Sequence, residues 1–247
     1  LATSYSITEY FGANLAELLS DKIVQVHSDF NSQAFIKDIS ANSQEKSYTQ
    51  RIELLADKLK IYLPSDYEKS LRILINILGP ENPHEDGMFK YFYWVMPIGK
   101  FVEKFGLEHL ELSLNAIVEI TKRNTGEYAV RPYIRKHPDY LLAKMETWSH
   151  SDNFHLRRLA SEGLRPKLPW APKLNEFIES PEPVFKILEN LKEDPIKFVQ
   201  KSVANHLTDY LKVNCPAANK LLYEWNKSPH PSTKWIVKRA TRKIALT

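Results

Sequence analysis

Apolar residues recur along this chain at helical rather than strand spacing. Ile52, Leu55 and Leu59 share one helix face, as do Leu71, Leu74 and Leu78. Leu107, Leu110, Leu114 and Val118 form a third stripe of the same period. Prolines such as Pro64, Pro80, Pro138, Pro166, Pro181, Pro195, Pro216 and Pro231 stand between the stripes, where a residue without an amide hydrogen ends one helix and opens the next. Asp86-Gly87 is the one dipeptide of hairpin-turn type, and the stretch after it, Met88 to Val102, is too long and unbroken for a single strand. The pattern predicts an all-α chain of many medium helices joined by short loops.

A repeat is visible in the second half. Trp148 to Ala160 reads as a helix end, a polar turn with Asp152, and a helix opening on Leu156, Arg157 and Arg158. Leu191 to Ala204 repeats that order with Asp194, Val199 and Lys201, a shift of 43 residues from Arg158 to Lys201. A weaker third unit runs from Trp225 to Ala240, with Lys238 standing 37 residues after Lys201. Helix, short capped turn and helix at this period is the pattern of a HEAT-like solenoid, an α-α superhelix of right-handed stacked pairs with a concave groove. The expected organisation is one domain over residues 1–247, with N-terminal helices in 1–104 and groove-forming repeats in 105–247.

Charge sharpens this picture. Residues 1–130 hold 13 Lys/Arg against 18 Asp/Glu, and residues 131–247 hold 21 against 12. The basic surplus of the second half fits an anionic partner, and a solvated basic face explains it equally well. Arg157, Arg158, Lys201, Lys238, Arg239, Arg242 and Lys243 recur near one register and are the expected phosphate contacts, Arg158 being the one best suited to a structural ion pair instead. Cys215 is the only cysteine, so no disulfide framework exists, and a reducing, cytoplasmic setting is expected. No apolar run approaches bilayer length, and the eight histidines show no metal-ligand spacing. Phosphate-cradling glycine loops and Gly-x-Ser-x-Gly elbows are missing too, so neither a metal nor any other cofactor is expected.

Four strings are specific: Gly126-Glu127-Tyr128-Ala129-Val130-Arg131-Pro132-Tyr133, Leu156 to Gly163, Arg165-Pro166-Lys167-Leu168-Pro169-Trp170, and Ser202 to Asp209. Through them the chain resembles the AlkC family of bacterial DNA alkylation repair glycosylases, most closely over Phe105–Leu211 and more loosely over Phe11–Phe35. The likeness does not extend to the immunoglobulin-like C-terminal domain that some members carry. It implies a monofunctional glycosylase that removes cationic bases such as 3-methyladenine, and in some members 3-methylcytosine and 1-methyladenine. The implied partner is double-stranded DNA containing alkylated bases; a repeat chain of this length is expected to be a monomer, with no membrane and no obligate protein partner.

The resemblance implies Glu127, Glu162 and Asp209 as the catalytic carboxylates. A base alkylated on a ring nitrogen is already positively charged, so its bond to deoxyribose is weakened without protonation. What remains is to stabilise positive charge developing on the sugar and to orient a water, which fixed carboxylates do. Each acid also has a structural explanation. Glu162 lies four residues after Arg158 and three before Arg165, where an ion pair is expected in any case. Glu127 follows Asn124-Thr125-Gly126 and stabilises a helix N-terminus wherever one begins there. Asp209 sits in the apolar run Val203 to Leu211 and is the hardest to explain by packing.

Trp170, after the Pro-containing loop Arg165 to Pro169, is the expected substrate-binding platform, because an aromatic face attracts a cation by about 0.5–2 kcal/mol. Filling a gap between repeats is the commoner fate of a lone Trp. Trp94, Trp148, Trp225 and Trp235 are read that way, with a second substrate-binding role open for Trp148. Two other functions compete: a non-catalytic DNA-structure binder on the same scaffold, and a HEAT scaffold for proteins, which the basic second half disfavours.

Overall fold

The computed structural model describes residues 6–87 and 89–242. Among the described residues there is no strand, and the fold is an all-α, HEAT-like arrangement of helices. The chain divides into two compact units, Leu1–Asn82 with Met88–Thr125, and Pro83–Gly87 with Gly126–Thr247.

The first unit comprises α1 (Ala13–Val24), α2 (Ser32–Asn42), α3 (Tyr48–Tyr62), α4 (Tyr67–Asn76), α5 (Phe89–Phe92), α6 (Met96–Phe105) and α7 (Leu110–Thr121). Polar side chains open several of them: Asn31 accepts from the Ala34 amide, Ser47 and Gln50 form a capping box, and Asp66 accepts from the Lys69 amide at 2.8 Å. The first two stripes read from the sequence are buried as expected. The third is rotated. Of its four residues only Leu114 is buried, and the inward face of α7 carries Ser113, Leu114, Ile117 and Ile120. Ser113 turns inward because its hydroxyl donates to the Gly106 carbonyl at 2.8 Å and meets the Tyr67 hydroxyl at 2.8 Å, so a polar group is buried fully satisfied.

The second unit is built as two layers. One holds α8 (Glu127–Lys136), α10 (Phe154–Glu162), α13 (Lys197–Val213) and α15 (Pro231–Ala240), with α10 against α13 and α13 against α15. The other holds α9 (Pro138–Ser149), α12 (Glu182–Leu191) and α14 (Cys215–Asn226), with short α11 (Asn175–Glu179) beside α12. Leu141, Met145, Leu159, Ile187, Val203, Leu207 and Leu222 fill the space between the layers.

The repeat is knitted at one register. Arg157 donates from Nε to Asp194 at 2.6 Å and from Nη1 to the Ser151 and Asp152 carbonyls, both at 2.9 Å. Gln200, 43 residues on, donates from Nε2 to the Asp194 carbonyl at 2.7 Å and meets Ser232 at 3.0 Å. The same position thus ties each turn to its own repeat and to the next, as in a one-dimensional stack.

Candidate active site

Glu127, Glu162 and Asp209 are brought together, joined by two arginines into one chain of charge. Glu127 is the first residue of α8. Both its oxygens face Arg158, at 3.2 Å from Nη1 and 3.3 Å from Nη2. Arg158 lies one turn before Glu162 on α10, with Nη2 3.6 Å from Glu162 Oε1, and it stacks over Phe198 at 4.7 Å. Arg165, just past α10, donates to Glu162 Oε1 at 2.6 Å and grips Asp209 Oδ2 from Nε at 2.8 Å and Nη2 at 2.5 Å. Order along the network is therefore Glu127, Arg158, Glu162, Arg165, Asp209.

The three acids are not equivalent. Glu162 is enclosed: Oε1 takes the arginines and Oε2 accepts from the buried Ser202 hydroxyl at 2.6 Å. Burial opposes its charge, yet Arg158 and Arg165 outweigh burial and hold its pKa below the ordinary carboxylate value. Asp209 goes the other way. Burial raises its pKa, and Arg165 offsets this only in part. Among the described residues no hydrogen bond reaches its second oxygen, Oδ1. Asp209 is thus the carboxylate with a free atom to offer and the one with a raised proton affinity.

Behind Glu162, Ser202 contacts Ser161 at 3.0 Å, and Ser161 contacts Nδ1 of His206 at 3.4 Å. His206 is fully buried against Tyr210, and burial pushes its pKa down to about 3, so the ring is neutral. His206, Ser161 and Ser202 thus form a buried polar cluster behind the carboxylate, with the Ser202 hydroxyl placed to donate to either Ser161 or Glu162. Among the described residues no group of three His, Cys, Asp or Glu side chains is placed to hold a metal ion.

Trp170 stands apart from the other tryptophans. Its residue is 80 % exposed and its backbone lies in the left-handed region at φ 60°. That conformation is unfavourable for a bulky side chain and marks a position worth a functional question. Trp148 is 8 % exposed and packs in the core, so its ring has no open face for a substrate. Trp94 and Trp225 are core residues as expected, Trp225 donating to Glu189. Trp235 is not. It is half-buried, with Lys197 Nζ 3.9 Å from the ring centroid and the Arg239 guanidinium 5.3 Å away. The sequence signal was available: Trp235 and Arg239 are four apart on one helix, in a segment without acids.

The expected phosphate contacts divide. Arg158 is enclosed by two carboxylates and Arg157 is held by Asp194 and two carbonyls, so neither guanidinium is open to an external anion. Lys201, Lys238 and Arg242 are exposed and Arg239 half-buried, with no carboxylate on them among the described residues. Lys243 lies outside the described residues. Lys201 and Asp209 are eight residues apart on α13, about two helical turns along the same helix.

Residues 107–244 match the family described as DNA alkylation repair enzyme, more than half of the chain. The chain belongs to that family. It is similar to the uncharacterized protein YhaZ of Bacillus subtilis strain 168, 35% identical over 232 residues, which cover 92% of this chain and 62% of YhaZ. It is similar in structure to the alkylpurine DNA glycosylase AlkC of Pseudomonas fluorescens, solved bound to DNA containing an abasic site analog. That match has a TM-score of 0.87 and 31% identity, and covers 97% of this chain and 64% of AlkC. The chain thus spans less than two thirds of the length of either relative.

Proposed function

We propose that this member of the DNA alkylation repair family is a DNA glycosylase that hydrolyses the N-glycosidic bond of cationic N-alkylated bases, 3-methyladenine foremost. By the same chemistry 3-methylcytosine and 1-methyladenine are further substrates. The observation that carries the reading is the convergence of Glu127, Glu162 and Asp209 in one network with a free Asp209 oxygen at its end.

The base leaves with the glycosidic electron pair, which neutralises its ring, so no acid is needed. Water then bonds to the anomeric carbon and gives up a proton, for which Asp209 Oδ1 is the acceptor. The network carries three carboxylates against two guanidinium groups, so it presents net negative charge to a sugar turning cationic. Glu162 is the brace of the network, and Glu127 adds field through Arg158. Trp170, exposed and backbone-strained, faces the charged base. The test is release of free base by the unaltered protein from methylated duplex, with separate readouts for 3-methyladenine, 7-methylguanine and 3-methylcytosine. Release of 3-methyladenine supports the reading, and none in any channel rejects it.

One observation favours the rival, a non-catalytic DNA-structure binder: every acid is ion-paired, as in a purely structural ladder. That reading predicts DNA binding without any base release.

Duplex binding is assigned, for a monomer, to Lys201, Lys238, Arg239 and Arg242, joined by Lys197 beside Trp235. Lys201→Ala and Lys238→Ala are each expected to weaken binding to undamaged duplex. In a titration across salt concentrations, each lowers the slope of log affinity against log salt by about 1. An unchanged slope in both removes these lysines from the phosphate contacts.

A further inference from the structure

Arg131 is 2 % exposed, and among the described residues no carboxylate touches it. Its two terminal nitrogens bond backbone carbonyls alone: Nη1 donates to those of Gly163 at 3.2 Å and Arg165 at 2.6 Å, and Nη2 donates to that of Pro172, while the buried Nε has no hydrogen-bond partner among the described residues. A buried cation without a counter-ion is expensive, and an apolar side chain of similar size would fill the space at lower cost. What Arg131 secures is therefore the loop between α10 and α11.

Two residues of the site hang on that loop. Arg165 reaches from it to Glu162 and Asp209, and its own carbonyl is one of those Arg131 holds. Trp170 lies further along, two residues before the Pro172 carbonyl. A glycine permits the approach. A Cβ on Gly163 would sit 3.0 Å from Met145 on α9, 3.1 Å from Val130 on α8 and 3.1 Å from the Leu159 carbonyl, so a larger residue there would press these neighbours apart. Arg131 also stands one turn after Glu127 on α8, so a single helix face supplies one acid and the clamp for the other two.

We propose that Arg131 is a positioning residue of this site: by holding the Gly163–Pro172 backbone it sets Arg165 between Glu162 and Asp209 and Trp170 toward the base. The inference rests on the glycosylase reading above. It predicts that loss of the clamp disturbs recognition of positive charge before it disturbs duplex binding.

The experiment compares affinity for two duplexes, one with a cationic pyrrolidine abasic analogue and one with a neutral tetrahydrofuran analogue. Wild type, Arg131→Lys, Arg131→Gln and Asp209→Asn are measured. Wild type is expected to prefer the cationic analogue. Loss of charged hydrogen bonds at the loop is expected to lower that preference about tenfold in Arg131→Gln and less in Arg131→Lys, with neutral-analogue affinity unchanged. A wild-type preference ratio in both Arg131 variants, alongside a lowered ratio in Asp209→Asn, overturns the role of Arg131 and leaves the glycosylase reading standing. Loss of neutral-analogue binding in both Arg131 variants assigns the residue to folding alone and also overturns it. No cationic preference in wild type, or an undiminished one in Asp209→Asn, removes the glycosylase reading and this inference with it.

Discussion

Asp209→Asn is expected to slow single-turnover release of 3-methyladenine by about 100- to 1000-fold, the range for removing one preorganised electrostatic partner of a transition state. Affinity for undamaged duplex should stay within a factor of about two, because the phosphate contacts are assigned elsewhere and a change under 0.5 kcal/mol is within the noise of a surface change. The substitution keeps the shape of the side chain and an oxygen for Arg165, so the fold is retained. What disappears is the negative charge and the basic Oδ1 oxygen. The pH profile supplies a second check. Burial raises the folded pKa of Asp209 above its ordinary 3.8, and the working form is the carboxylate. Activity in the unaltered protein should therefore fall as pH drops through a value above 3.8, earlier than a solvent-exposed aspartate would give. Base release by the Asn variant at wild-type rate removes Asp209 from the reaction.

Glu162→Ala is expected to have the largest effect on stability, a loss of about 3–5 kcal/mol in urea unfolding, as for other buried pairs deprived of one partner. Both guanidinium groups would remain largely buried, Arg158 with Glu127 alone and Arg165 with Asp209 alone, and the Ser202 hydroxyl would keep only Ser161 as an acceptor. Glu162→Gln keeps an oxygen for Arg165 and should lose less than the Ala variant. The pH dependence follows from the direction of the shift. The folded pKa of Glu162 is lowered, so its contribution is present above the unfolded value, 4.5, and disappears as pH falls below it. A loss below about 1 kcal/mol for Glu162→Ala would show that the network relaxes without it and is not the brace described.

Much of this site follows from spacing alone. Glu162 is four residues from Arg158 and three from Arg165, and both ion pairs form, at 3.6 Å and 2.6 Å. One helical turn determines such neighbours whatever the rest of the chain does. The pairs that close the network span 31 residues, from Glu127 to Arg158, and 44, from Arg165 to Asp209. They depend on which face of α8 and α13 the stacked repeats turn toward α10. That choice is a sum over many apolar contacts of similar energy, and the chain itself prints no mark of it.

The same divide separates the residues whose roles changed. Periodicity, prolines and the repeat determined the helical, repeat-built fold, and the charge count located the basic surface in the second half. Arg158 shares its register with Lys201, yet one is enclosed by carboxylates and the other is in solvent. Trp235 and Trp148 look alike as isolated tryptophans, but only the first lies at the surface, between two cations. Arg131 appears in sequence as one more base on a helix; its grip on three carbonyls exists only once the loop after α10 passes over α8. Local spacing is settled by backbone geometry over a few residues, and so it is written in the chain. Burial, the loss of solvent around a charge and the meeting of distant side chains arise from packing in three dimensions, and so they belong to the folded protein.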